Sequence, residues 1–141
     1  MEQPSTTRSG ATLWFVQRRR VAPADLDAQA HVNNVVYVAW VQDIAVAHWE
    51  ALAPPEMARS VWWVASRHEI DYLAPALADD DIEVRTRVGH AEGLRFERFT
   101  EVRRLPDERL LARSRTLWVP VDPRTGRPMR VGPEVRALVS D

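Results

Sequence analysis

The chain has 141 residues and a formal net charge of −1, with 45% hydrophobic and 28% charged residues. That length predicts a single domain, 13–141, behind a disordered or loose tail at 1–12, and the composition is that of a globular protein. The 19 basic residues, all of them arginines, are balanced by 20 acidic ones. This balance argues against nucleic-acid binding, which needs a concentrated cationic face. The absence of cysteine excludes disulfides, thiolate metal sites and a cysteine nucleophile.

Neither a leader nor a membrane anchor is predicted. The first ten residues are polar and lack the apolar core of a signal peptide. The longest apolar stretch, 35–52, is interrupted by polar and charged residues, which disfavours a membrane span. We therefore expect a cytoplasmic protein that does not use the membrane as a partner.

The first half of the chain predicts one strand and one long helix. Aromatic and β-branched residues predict a strand over 13–21, and a cluster of Pro, Asp and Asn predicts a loop over 24–33. A helix is predicted from Asn34 to about Ala53, with Asn33 as its N-cap and two prolines as its stop. Because this helix is apolar on nearly every face, we expect it to be buried on most sides.

The second half predicts mostly strands. Apolar runs and alternating patterns predict four strands and a short C-terminal helix, over 61–72, 82–88, 94–104, 110–121 and 133–139. One strand, a long helix and then four strands indicate an α+β fold, with an antiparallel sheet of about five strands against the helix. The helix covers one face of the sheet, and Trp62, Trp63 and Trp118 add apolar area, so we expect two subunits to meet.

The segment immediately before the long helix is the most informative one for chemistry. It contains the carboxylates of Asp25 and Asp27, the imidazole of His31 and the amides of Asn33 and Asn34. A helix N-terminus offers unpaired N–H groups and a partial positive charge that stabilise an oxyanion. A carboxylate beside it can attack a carbonyl or activate water. The same residue types are also common caps and turn formers, so the residues alone leave both interpretations open.

The order of these residues resembles a known family. Asp25-x-Asp27-x-x-x-His31-Val-Asn-Asn34-x-x-Tyr37 at the start of a long helix resembles the hotdog-fold acyl-CoA thioesterases of the 4-hydroxybenzoyl-CoA thioesterase type. Three later segments resemble the same family in the same order, namely 67–75, 116–128 and 133–139. The resemblance implies a hotdog fold, in which the antiparallel sheet wraps around one long buried helix.

The resemblance also implies roles for individual residues. Asp27 matches the catalytic carboxylate, acting as nucleophile or general base, and Asn34 matches the residue whose backbone N–H polarises the thioester carbonyl. His31 is a further catalytic candidate or a residue that shapes the loop, and Asn33 and Tyr37 are expected at the substrate. The implied partners are an acyl-CoA substrate and further copies of the chain in a homodimer or homotetramer. No metal or organic cofactor is implied.

Two arginines near a predicted hairpin tip are weaker candidates. Guanidinium groups suit phosphate, so Arg103 and Arg104 are candidate contacts for the phosphates of coenzyme A. The alternative is an ordinary solvated hairpin tip.

Acyl-CoA hydrolysis is the function that the resemblance favours, and two alternatives stay open. One is a thioesterase that acts on acyl carrier protein, with the same chemistry and a different docking surface. The other is a hotdog domain that binds acyl-CoA as a sensor without turnover.

Overall fold

The computed structural model of the chain describes residues 5–9 and 12–141. The strands and helices of this part are, in chain order, β1 (Ser5–Ser9), β2 (Thr12–Arg20), α1 (Asn34–Leu52), α2 (Pro55–Ser60), β3 (Trp62–Tyr72), β4 (Asp81–Glu92), β5 (Arg95–Leu105), β6 (Arg109–Val121) and α3 (Pro133–Val139).

The strands form one antiparallel sheet in the order β1-β2-β4-β5-β6-β3. Consecutive strands β4, β5 and β6 pair as a meander, and β3 adds to the far side of β6. The chain therefore passes from β2 to the opposite edge strand β3 through α1, which packs against β4 and β2. This arrangement confirms the predicted α+β class, with the long helix on one face of the sheet.

Helix α1 begins and ends close to the predicted residues, but it is buried on one side only. The side that faces the sheet is buried and carries Tyr37, Trp40, Val41, Ile44, Ala45, His48 and Trp49. On the other side Val35 is 67% exposed and Val46 is 50% exposed. The expectation of burial on most sides was wrong for this chain taken singly, because a lone helix on one sheet face has only one side covered.

The core lies between α1 and the inward side chains of the strands. In β4, buried Ile82, Val84 and Thr86 alternate with half-buried charged residues, the two-residue period of a strand with one covered face. The core has two parts, one around Ile44 and the other around Trp49, nearer the C-terminal end of α1.

Two short elements differ from the sequence expectations. Residues 5–9 form β1, an edge strand antiparallel to β2, where a loose tail was predicted. The rest of that tail, 1–4 together with 10 and 11, lies outside the described residues. The prolines predicted to stop α1 do so and also start α2, because Pro fits the first turn of a helix, where no N–H is needed.

No helix of the described residues combines the length and the apolar character that a bilayer crossing would need.

Candidate active site

The loop before α1 is held by its own backbone. The N–H of Asp27 donates to the carbonyl of His31 at 2.8 Å, and Leu26 pairs with Val32 as an isolated bridge. Ala30 closes this tight turn in the left-handed region, at φ 61°, which is uncommon for a residue with a side chain. The N–H of Asn33 donates to the carbonyl of Asp25 at 2.9 Å. The loop therefore fixes Asp27 relative to the start of the helix.

The two oxygens of the Asp27 carboxylate have different surroundings. Oδ1 accepts the backbone N–H groups of Gln29 at 2.8 Å and of His31 at 3.2 Å. Oδ2 has no protein hydrogen bond among the described residues. One oxygen thus orients the carboxylate, and the other remains available to a substrate or a water molecule.

Asp25, the other carboxylate of the motif, has a structural role in the loop. Its Oδ2 accepts the backbone N–H of Ala22 at 2.8 Å across the short 3-10 turn Pro23–Asp25.

The N-terminus of α1 presents a free donor. The side chain of Asn33 caps the helix by accepting the N–H of Val35 at 3.2 Å. The N–H of Asn34, the first helical residue, has no acceptor among the described residues. A free N–H at the positive end of a long helix is suited to bind an oxyanion or a polarised carbonyl oxygen.

These groups meet in one open cleft with a volume of about 450 Å³. The loop, the first turn of α1 and the segment after β3 line it, with Asp27, Gln29, His31, Val32, Asn33, Asn34, Tyr37, Tyr72, Leu73, Ala74 and Pro75. The structure therefore brings together five residues singled out from the sequence: Asp27, His31, Asn33, Asn34 and Tyr37. The imidazole of His31 makes no protein hydrogen bond within the described part of the chain, so it is available to whatever enters the cleft.

Two tyrosines join the far wall of the cleft to the helix. The N–H of Ala76 donates to the hydroxyl of buried Tyr37 at 3.0 Å, and burial raises the pKa of that phenol. The hydroxyl of Tyr72 donates to the carbonyl of Asn34 at 3.2 Å, and the two rings meet edge to face at 5.4 Å. Tyr72 and the wall 73–75 were not among the predicted site residues; the available signal was that they end the segment 67–75, which resembles the family.

Tyr37→Phe is expected to lower the free energy of unfolding by about 1 to 2 kcal/mol. The substitution removes the only acceptor that the described residues offer to the buried N–H of Ala76, and it keeps the ring. Urea denaturation of the two proteins measures this difference. Tyr72→Phe is the matched control, because its exposed hydroxyl loses only a solvent-accessible hydrogen bond, and a loss as large as that of Tyr37→Phe would contradict the assignment.

Arg103 and Arg104 do not line the cleft. The guanidinium of Arg104 binds the carboxylate of Asp107 with two hydrogen bonds, of 3.2 and 2.7 Å. Nε of Arg103 lies 3.6 Å from Oε1 of Glu101. Both arginines already have acidic partners, and their contact with the phosphates of coenzyme A stays a prediction.

Among the described residues, no three His, Asp or Glu side chains are grouped as a metal ion would require.

Comparisons with known proteins place the chain in a family. A model of the thioesterase-like superfamily matches residues 21–139. No curated protein sequence matches the chain significantly.

Solved structures of several thioesterases share the fold. The 1,4-dihydroxy-2-naphthoyl-CoA thioesterase from Synechocystis is similar with a TM-score of 0.75 and 19% identity, over 89% of this chain and 95% of that one. A Thermus thermophilus thioesterase complexed with coenzyme A and Zn has a TM-score of 0.77 and 24% identity, over 88% and 90% of the two chains. The 12:0-ACP thioesterase from Umbellularia californica has a TM-score of 0.77 and 19% identity, over 89% of this chain and 49% of that chain.

These similarities confirm the predicted hotdog fold. The family match extends over the cleft and most of the sheet. The chain belongs to the thioesterase-like superfamily and is a thioester hydrolase.

Proposed function

We propose that this protein hydrolyses acyl-CoA thioesters to a free acid and coenzyme A at the cleft before α1. Asp27 serves as nucleophile or general base, and the N–H of Asn34 serves as the oxyanion donor. The observation that carries the proposal is that the carboxylate of Asp27, with Oδ2 available, and the open N-terminus of α1 line the same cleft.

The two possible roles of Asp27 use the same geometry. The carbonyl oxygen of the thioester accepts the N–H of Asn34, and the positive end of the helix stabilises the negative charge that develops there. As nucleophile, Asp27 attacks the carbonyl carbon, expels the thiolate of coenzyme A and forms a mixed anhydride, which water then hydrolyses. As general base, Asp27 takes a proton from water while that water attacks the same carbon.

Asn33, Tyr37 and His31 support this chemistry from the cleft wall. The cap made by Asn33 fixes the start of the helix, and Tyr37 holds the opposite wall through Ala76. His31 fixes Asp27 through its backbone N–H, and its imidazole is an alternative proton acceptor that lines the same cleft.

We propose that a second copy of the chain closes the cleft in a homodimer or homotetramer. Asp27 is exposed and the cleft is open in the single chain, and the adjacent Val35 is exposed at the start of the helix. A partner over this region would exclude water and strengthen the interaction of the oxyanion with the helix end. A cytoplasmic location also remains a prediction.

The sequence leaves both the acyl group and its carrier open, and the similar structures suggest which thioesters to compare. One is named for a naphthoyl-CoA substrate, another was solved with coenzyme A, and a third is named for acyl carrier protein. Resemblance to the 4-hydroxybenzoyl-CoA thioesterase type makes aromatic acyl groups the first to test.

The test is thiol release from a panel of aromatic and aliphatic acyl-CoA thioesters. We expect saturable release of coenzyme A from at least one member. Each acyl group is also presented on acyl carrier protein. Faster hydrolysis of the carrier-protein thioester would show that acyl carrier protein, rather than coenzyme A, is the carrier. Tight binding of acyl-CoA without any thiol release would contradict hydrolysis and favour a hotdog domain that binds acyl-CoA as a sensor.

A further inference from the structure

A second pocket lies near the C-terminal half of α1, away from the cleft that contains Asp27. Its volume is about 260 Å³. Its walls are mainly apolar and include the aromatic side chains of Trp49, Trp62, Trp63, Phe96 and Trp118, together with Arg98 from β5. Along α1 the pocket begins at Ala45, ~16 Å from Asn34 at 1.5 Å per residue. The proposed thioester hydrolysis uses no residue that lines this pocket.

Arg98 is a buried cation without a counter-ion. Only 6% of the residue is exposed, and no acidic side chain pairs with it among the described residues. Its Nη1 donates to Nδ1 of His48 at 2.8 Å and to the hydroxyl of Thr86 at 3.3 Å. Both acceptors are neutral, so the charge itself is not compensated. A buried charge without a partner of opposite sign is costly.

The acid that borders the pocket does not compensate this charge. Glu97 also borders the pocket, but its carboxylate binds Arg115 and the backbone N–H of His90. Glu97 and Arg98 are consecutive residues of a strand, so their side chains leave opposite faces of the sheet. The carboxylate of Glu97 therefore binds Arg115 and His90 and does not pair with Arg98.

The remaining donors of Arg98 are open at the pocket. Nε and Nη2 have no acceptor in the described part of the protein, and neither is fully enclosed by protein atoms. The indole N–H groups of Trp63 and Trp118, on the walls of the same pocket, are buried and also lack acceptors among the described residues. The two indole N–H groups are enclosed by protein atoms, so the pocket combines the unused donors and the positive charge of Arg98 with an apolar lining.

We propose that this pocket binds a small apolar carboxylic acid, with the carboxylate on the guanidinium of Arg98 and the apolar body among the tryptophans. A carboxylate supplies the missing negative charge and matches the fork of guanidinium donors. The aromatic walls bury the rest of the ligand. The site is separate from the thioester cleft, and its existence does not depend on hydrolysis.

The test is isothermal titration calorimetry with the matched pair 4-phenylbutyrate and 4-phenylbutan-1-ol. Wild-type protein is expected to bind the acid at least about tenfold more tightly than the alcohol, because a hydrogen-bonded charge pair favours the acid. Arg98→Met should abolish that preference, while Arg95→Met, at an exposed position of the same strand outside the pocket, should preserve it. Equal affinity for acid and alcohol, or undetectable binding of the acid, would overturn the proposal.

Two further measurements keep the proposal testable if Arg98→Met does not fold. Trp62→Ala removes an apolar wall that is 56% exposed, and it should weaken the binding of acid and alcohol alike by severalfold. Saturating coenzyme A and the Asp27→Asn substitution should both leave acid binding unchanged. If coenzyme A displaces the acid, the pocket is the acyl end of the thioester site and the claim of a separate site fails.

Discussion

Asp27→Asn is expected to lower the turnover of a good thioester substrate at least ~100-fold without unfolding the protein, the lower end of the effect of losing a general base. Asparagine keeps an oxygen that can accept the N–H groups of Gln29 and His31. It removes the negative charge that either attacks the carbonyl or takes the proton from water. The loss should therefore appear in kcat, with an unchanged unfolding transition.

Asp25→Asn is the matched control for this experiment. Asp25 belongs to the same loop, but its carboxylate accepts the N–H of Ala22 and does not line the cleft. We expect this variant to keep most of the activity. Full activity of Asp27→Asn would show that another group is the base, and His31→Gln would then be the next variant to measure.

Lowering the pH from 7 to 4.5 is expected to cost the protein about 2 to 3 kcal/mol of folding free energy through His48 alone. Burial first, and then the adjacent positive charge of Arg98, lower the pKa of His48 from 6.5 to about 4. The folded protein therefore keeps this imidazole neutral while the unfolded chain protonates it. Its contribution is complete above pH 6.5 and is lost as the pH falls from 6.5 towards 4.

Comparison with His48→Gln isolates this contribution from that of the carboxylates. Glutamine retains an acceptor for Nη1 of Arg98 but does not titrate. Urea denaturation at pH 7 and pH 4.5 gives the change in the free energy of unfolding for each protein. Between these pH values the wild type should lose about 2 to 3 kcal/mol more of this free energy than the variant. Parallel losses would show that His48 is not held neutral in the fold.

The sequence by itself determined the features that depend on near neighbours in the chain. The end of α1 follows from two prolines and its start from an asparagine cap, which are contacts within one helical turn. The period of two in β4 follows from one covered sheet face. Asp27, Asn33 and Asn34 meet because the loop closes on itself through hydrogen bonds between residues two to eight apart.

Only the tertiary structure decided which distant segments complete these sites. The cleft wall at Tyr72 reaches Asn34 because β3 pairs with β6 at the sheet edge and then turns back towards the helix. The position of Arg98 beside His48 depends on which residues of β5 face α1. Strand register and helix placement come from burial summed over the whole core, and no local pattern of residues encodes that sum.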